Sequence, residues 1–102
     1  MIVAFSVAPA VVNNDSQEMA DAVSEAVRVV RESGLPTETN AMFTLLEGEW
    51  AEVFGTIKNA TDAVRAVSPR TSLVVKADIR EGVTNQLTDK VDAVNRRLAK
   101  ED

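Results

Sequence analysis

The chain has 102 residues, 11 basic and 16 acidic, for a formal net charge of -5; the length supports one domain over 1–102 with a single modest core, and the charge argues against nucleic acid or an anionic membrane as principal partner. Neither cysteine nor histidine occurs, which excludes thiol redox chemistry, Cys/His zinc sites and imidazole general bases. The apolar run 2–12 is broken by Pro9, has no basic flank and falls short of the roughly 20 residues of a membrane-spanning helix, so a cytoplasmic location is expected.

Ile2 to Ala8 alternates Val3, Phe5, Val7 with Ala4, Ser6, Ala8, the period-two pattern of a strand with two unlike faces, and Pro9 stops it. Asn13, Asn14 and Asp15 form a polar loop. Asp15 with Glu18 has capping-box spacing, and Met19, Ala22, Val23, Ala26, Val29 and Val30 recur along one helical stripe. Gly34-Leu35-Pro36 closes this helix. Thr37 to Asn40 is weakly strand-like and Met42 to Glu47 strongly so, which predicts a hairpin turning at Asn40-Ala41 without a glycine.

From Trp50 the period changes: Trp50, Val53, Phe54, Ile57, Ala60, Val64 and Val67 follow three-and-four spacing until Ser68-Pro69. Trp50 on that stripe reads as core or interface. Thr71 to Ile79 is the second clear strand, with Leu73, Val75, Ala77 and Ile79 alternating with Ser72, Val74, Lys76 and Asp78. Thr84 is placed to cap a last helix carrying Leu87, Val91, Val94 and Leu98, with Arg96, Arg97 and Lys100 toward its C-terminus. The order predicts an α+β, ferredoxin-like βαββαβ fold, a four-stranded antiparallel sheet with an additional C-terminal helix. The first and last strands then lie side by side with their bulky residues toward the first two helices.

The other sheet face shows Ala4, Ser6, Ala8, Val74, Lys76 and Asp78. It can be bare, covered by the last helix, buried against a second subunit or used as a ligand pocket; burial in a homo-oligomer is the favoured plain reading, because large apolar patches are uncommon on monomers. Glu47 beside Gly48 is either a solvated carboxylate favouring the next helix's N-terminus or an acceptor for an amino or cationic ligand, with Thr44 supplying a hydroxyl. Thr44 and Glu47 are three apart, so a regular strand puts them on opposite faces. Lys76 and Asp78, two apart, are a surface ion pair or a polar clamp. Ser6 is a small packing residue or a ligand contact.

Val7-Ala8-Pro9, the run Met42-Phe43-Thr44-Leu45-Leu46-Glu47-Gly48, and Arg70 to Ile79 followed by Arg80 resemble the thiamine-binding, or YkoF-like, protein family over essentially the whole chain. The Met-x-Thr-x-x-Glu-Gly core is the most specific element. The resemblance implies a ferredoxin-like fold, association through sheet faces into dimers or tetramers, and binding of thiamine or its hydroxymethylpyrimidine part. It carries Thr44 and Glu47 over as candidate contacts, with Met42 as part of an apolar floor. Where relatives often carry a histidine in the second helix, this chain reads Asn59-Ala60-Thr61-Asp62-Ala63-Val64.

The expected ligand set is therefore Ser6, Met42, Thr44, Glu47, Lys76 and Asp78, with no cofactor, no metal and no catalytic residue. Two functions stand: a non-catalytic homo-oligomeric binding protein for thiamine or hydroxymethylpyrimidine, and a ferredoxin-like regulatory or structural interaction module without a small-molecule ligand. An enzyme comes third. The phosphate loop of acylphosphatases has no basic counterpart in Phe5 to Asp15, and the aromatics of RNA-recognition domains are missing from Val74 to Asp78.

Overall fold

The computed structural model describes residues 1–10 and 16–100. Strands β1 (Ile2–Pro9), β2 (Thr37–Thr39), β3 (Thr44–Glu47) and β4 (Thr71–Asp78) alternate with helices α1 (Ser16–Glu32), α2 (Trp50–Arg65) and α3 (Gln86–Ala99) in the order β1-α1-β2-β3-α2-β4-α3. The antiparallel sheet has the order β2-β3-β1-β4, the ferredoxin-like arrangement with one helix added. The spacing of Asp15 and Glu18 and the polar loop at Asn13, Asn14 and Asp15 lie outside the described residues.

Pairing register explains the core. Val3, Phe5 and Val7 point to one side of β1 and are buried, as is Leu46 opposite Val3. Against them pack Ala26 and Val30 of α1 and the stripe Val53, Ile57, Ala60 and Val64 of α2, the three-and-four spacing visible in the sequence. Alanines at the contact face of α1 bring its backbone close to the sheet.

The turns use side chains where glycine is absent. Asn40 Oδ1 accepts the backbone N–H groups of Met42 and Phe43, both at 2.9 Å, an Asx-type turn that closes the β2–β3 hairpin. Gly34, at φ 81°, supplies the left-handed residue that ends α1. Glu49 and Glu52 form the capping box of α2. Gly48 is needed for close packing: a Cβ there would lie 3.2 Å from Leu35 Cδ2 and 3.3 Å from Val53 Cγ2. The N-terminal ammonium donates to the Gly48 carbonyl at 3.0 Å, fastening β1 to the β3–α2 junction.

Three expectations need correction. Leu73, Val75 and Ala77 do share the side of Phe5 by register, but Leu73 is 43% exposed and Val75 37%, because α2 covers β4 only in part. Ile79 falls beyond the strand and is exposed as well. Trp50, the first residue of α2, is 60% exposed and touches Phe54 with ring centroids 4.7 Å apart, so of the two expected roles, core or interface, the core role is overturned. Asn85, not Thr84, occupies the N-cap of α3, in the left-handed conformation at φ 59°.

The two sheet edges differ. β2 is three residues long and carries Glu38, whereas β4 runs eight residues with Leu73, Val74 and Val75 in succession. Short charged edges resist pairing with other chains, and long apolar ones invite it.

Replacing Leu46, fully buried in β3, with alanine removes methyl groups from a closed site and is expected to lower the unfolding free energy by about 3 kcal/mol. Asn59→Ala, on the exposed side of α2, is expected to change it by less than about 0.5 kcal/mol; urea titration of both variants measures the difference.

Candidate functional site

The sheet face turned away from α1 and α2 carries Ile2, Ala4 and Ser6 of β1, Leu45 and Glu47 of β3, and Val74, Lys76 and Asp78 of β4, as the registers Ile2↔Glu47, Ala4↔Leu45, Ile2↔Asp78, Ala4↔Lys76 and Ser6↔Val74 require. The first turns of α3 lie over it. None of the residues of α3 is buried, so the apolar contact holding the helix is thin and its polar attachments matter.

The main attachment is Glu47. A helix start leaves backbone N–H groups without acceptors, and here the N-cap residue, Asn85, makes no side-chain capping bond. The Glu47 carboxylate supplies the acceptors from another element: Oε2 accepts the Gln86 N–H at 2.9 Å and Oε1 the Leu87 N–H at 3.3 Å. Glu47 is only 7% exposed. Burying a carboxylate costs free energy unless hydrogen bonds to its charged form compensate, and the positive end of the α3 dipole adds to that compensation. Glu47 is therefore neither rim solvation nor a cap for its own neighbour α2; it is the anchor of α3.

The second attachment is the ion pair between Lys90 Nζ and Asp78 Oδ2 at 2.5 Å, joining α3 to β4. The hydrogen bond and charge of Lys90, helped by Arg80, hold the Asp78 carboxyl below its ordinary range. Between helix and sheet lies a cavity of about 260 Å³ with apolar walls from Ile2, Ala4, Leu45, Leu87 and Val91, and with Lys76, Asp78, Gln86 and Lys90 as its polar members.

The structure divides the six expected ligand residues among three places. Lys76 and Asp78 meet in the cavity under α3. Glu47 holds the roof of that cavity and faces, on the other flank of α3, a groove of about 430 Å³ with Glu38, Asn85, Thr88 and Asp92. Ser6, Met42 and Thr44 line a cleft of about 210 Å³ beside Val23, Ala26 and Val27 of α1. β3 is regular and pairs residue for residue with β1, so no bulge brings Thr44 round to the side of Glu47; Thr44 sits next to Phe5 on the core side, 8% exposed.

Leu45, Gln86, Leu87, Lys90 and Val91 were not among the expected residues. Leu45 was accessible by parity, being two residues from Glu47 on the same strand. The stripe Leu87–Val91 marked an apolar face on α3, but no spacing in the sequence says which surface it meets.

Among the described residues, no group of three or more carboxylate, thiol or imidazole side chains is arranged to hold a metal, and no helix is long and apolar enough to cross a membrane. The arrangement combines an apolar space, a free ammonium at Lys76, and carboxylates fixed by partners at Glu47 and Asp78.

Comparison with known proteins follows the same line. The sequence profile described as thiamine-binding protein matches residues 3–95. A UPF0045 protein of Mycobacterium bovis is 50% identical over 99 residues, covering 96% of this chain and 94% of that protein. The crystal structure of a hypothetical protein from Methanocaldococcus jannaschii superposes with a TM-score of 0.80 at 28% identity, covering 92% of this chain and 94% of the other. A Thermotoga maritima protein provisionally assigned to thiamine biosynthesis or salvage shares the fold, with a TM-score of 0.74 at 22% identity over 91% of this chain and 96% of that one.

Replacing Glu47 with alanine strips both acceptors from the start of α3. Amide hydrogen exchange at Gln86 and Leu87 is expected to accelerate at least about tenfold, with a stability loss of about 1–3 kcal/mol. For Asp78 the folded-state pKa is depressed, so its contribution is fully present above the unfolded value of about 3.9 and is lost as pH falls through the lower folded value. The stability gap between the native protein and Asp78→Asn should accordingly be constant near pH 6 and close on acidification below about pH 4, as read by denaturant midpoints.

Proposed function

Because the chain belongs to the thiamine-binding protein family, we propose that it is a non-catalytic cytoplasmic binding protein for thiamine or its hydroxymethylpyrimidine part, working as a homo-oligomer. The observation that carries this reading is the cavity between the open sheet face and α3, where an apolar floor is combined with a few polar groups, the usual make-up of a small-molecule site. Ile2, Ala4 and Leu45 take the flat ring. The Asp78 carboxylate accepts from an exocyclic amino group, and Glu47 keeps the roof in place. Ser6, Met42 and Thr44 form the competing contact set in the cleft beside α1.

Self-association is supported by three features of the protomer. β4 is a long edge strand with the apolar run Leu73, Val74 and Val75 at its middle. Val91, Val94 and Leu98 of α3 are each more than half exposed. The radius of gyration is 15.7 Å with extents of 52 × 32 × 20 Å, against about 13 Å expected of a compact domain of this length. Pairing of β4 with a second copy joins two sheets, and packing of open faces makes a tetramer from two such dimers. The same exposed β4 and α3 surfaces also favour a second reading, an interaction module without a small-molecule ligand.

Isothermal calorimetry with thiamine, its phosphates and hydroxymethylpyrimidine tests the first reading: saturable binding without turnover is expected. Asp78→Ala is expected to weaken it at least about fivefold, roughly 1 kcal/mol, with Met42→Ala and Thr44→Ala within twofold; the reverse pattern transfers the site to the cleft beside α1. Sedimentation velocity at micromolar concentration is expected to show a dimer or tetramer. Self-association with no heat from any ligand favours the interaction module.

A further inference from the structure

One ammonium lining the cavity under α3, that of Lys76, has no partner among the described residues, and it bears on which ligand the cavity takes. Two ammonium groups, Lys76 and Lys90, line it against one lining carboxylate, Asp78. Asp78 is committed to Lys90 at 2.5 Å. Glu47, the nearest other carboxylate, has both oxygens turned to the first N–H groups of α3. Among the described residues Lys76 makes no hydrogen bond or ion pair, although its register opposite Ala4 puts it on the cavity side of β4. The volume, about 260 Å³, lies just under the roughly 300–1,000 Å³ of sites for drug-sized ligands.

Resting on the reading of this cavity as the ligand site, we propose that among such ligands it prefers those bearing an anionic substituent, with Lys76 as the specificity-determining residue that takes the anion. The ring lies between Ala4 and Leu45 of the sheet and Leu87 and Val91 of α3, and the anion leaves the apolar space at the exposed edge of β4, where the Lys76 ammonium stands. An ammonium on a flexible stem meets a phosphate or carboxylate as a point charge without demanding bidentate geometry. A neutral ring of the same shape gains only the apolar contact.

The test is calorimetry of the full chain with three probes that share one ring: hydroxymethylpyrimidine, its phosphate monoester, and the analogue with a carboxylic acid in place of the hydroxymethyl group. The phosphate ester is expected to bind at least about fivefold tighter than the neutral compound at low ionic strength, the magnitude of one partly exposed charge contact, and the gap is expected to shrink at 0.5 M salt. In Lys76→Met the gap should fall below twofold while affinity for the neutral compound stays unchanged; Lys76→Arg should keep it. A gain for the carboxylate equal to that for the phosphate marks charge as the feature read, and a gain for phosphate alone marks the phosphate group; both support the proposal. Equal affinity for neutral and anionic probes, or a gap that survives Lys76→Met, overturns it while leaving the cavity a binding site. No binding of any of the three overturns it together with the reading on which it rests. Since Lys76 is exposed, the variants keep the fold, and unchanged unfolding midpoints check this directly.

Discussion

A carboxylate on β3 and the start of a helix thirty-nine residues later satisfy each other's unmet needs, and the open side of the sheet is organised by that exchange. Glu47 is buried and charged, a combination that is costly without donors. The first turn of α3 has N–H groups without acceptors, and its N-cap residue offers none. Either alone is unfavourable; together they fix one end of α3 against a sheet face that α1 and α2 do not reach. The cavity, its apolar roof at Leu87 and Val91, and the approach of Lys90 to Asp78 all follow from where that end is held.

The two layers of the fold differ in how they are secured. Between the sheet and α1 and α2 the contact is a closed apolar core from Val3 to Val64, and its stability comes from area removed from water. Over the opposite face nothing in α3 is buried, and two polar attachments do the positioning. Elements held by few buried contacts are drawn from the less stable end of a structure. Apolar surface is left over on α3, at Val91, Val94 and Leu98, and on β4, at Leu73, Val74 and Val75.

Family membership and geometry bear on different questions. The match across residues 3–95 and the structural likenesses say what kind of protein this is. The structure keeps three clusters of polar residues apart, and charge distinguishes two of them. The groove on the β2 flank of α3 gathers Glu38, Glu47 and Asp92 without a basic group among its lining residues, while the cavity on the β4 flank has Lys76 and Lys90 against Asp78. One helix thus separates surfaces of opposite electrostatic character on a single sheet.

Much of the fold was legible in the residues because it depends on local periodicity. Val3-Phe5-Val7, the stripe Val53-Ile57-Ala60-Val64 and the alternation of Thr71 to Asp78 each fix an element and its inward side, and the parity of Thr44 and Glu47 correctly put them on opposite faces of β3. Even the turn at Asn40 could be located, though not its Asx geometry. What periodicity does not encode is which surface covers which. Leu73 and Val75 have the pattern of core residues and are exposed, since coverage of an edge strand depends on how far helices extend across the sheet. Trp50 lies on an apolar stripe and is exposed because it occupies that helix's first position. The docking of α3 on Glu47, and with it the meeting of Lys76, Asp78, Leu45 and Val91 around one cavity, joins segments about forty residues apart through hydrogen bonds to backbone groups. Backbone donors are the same at every position of a sequence apart from proline, so only the tertiary structure decided where that carboxylate would find them.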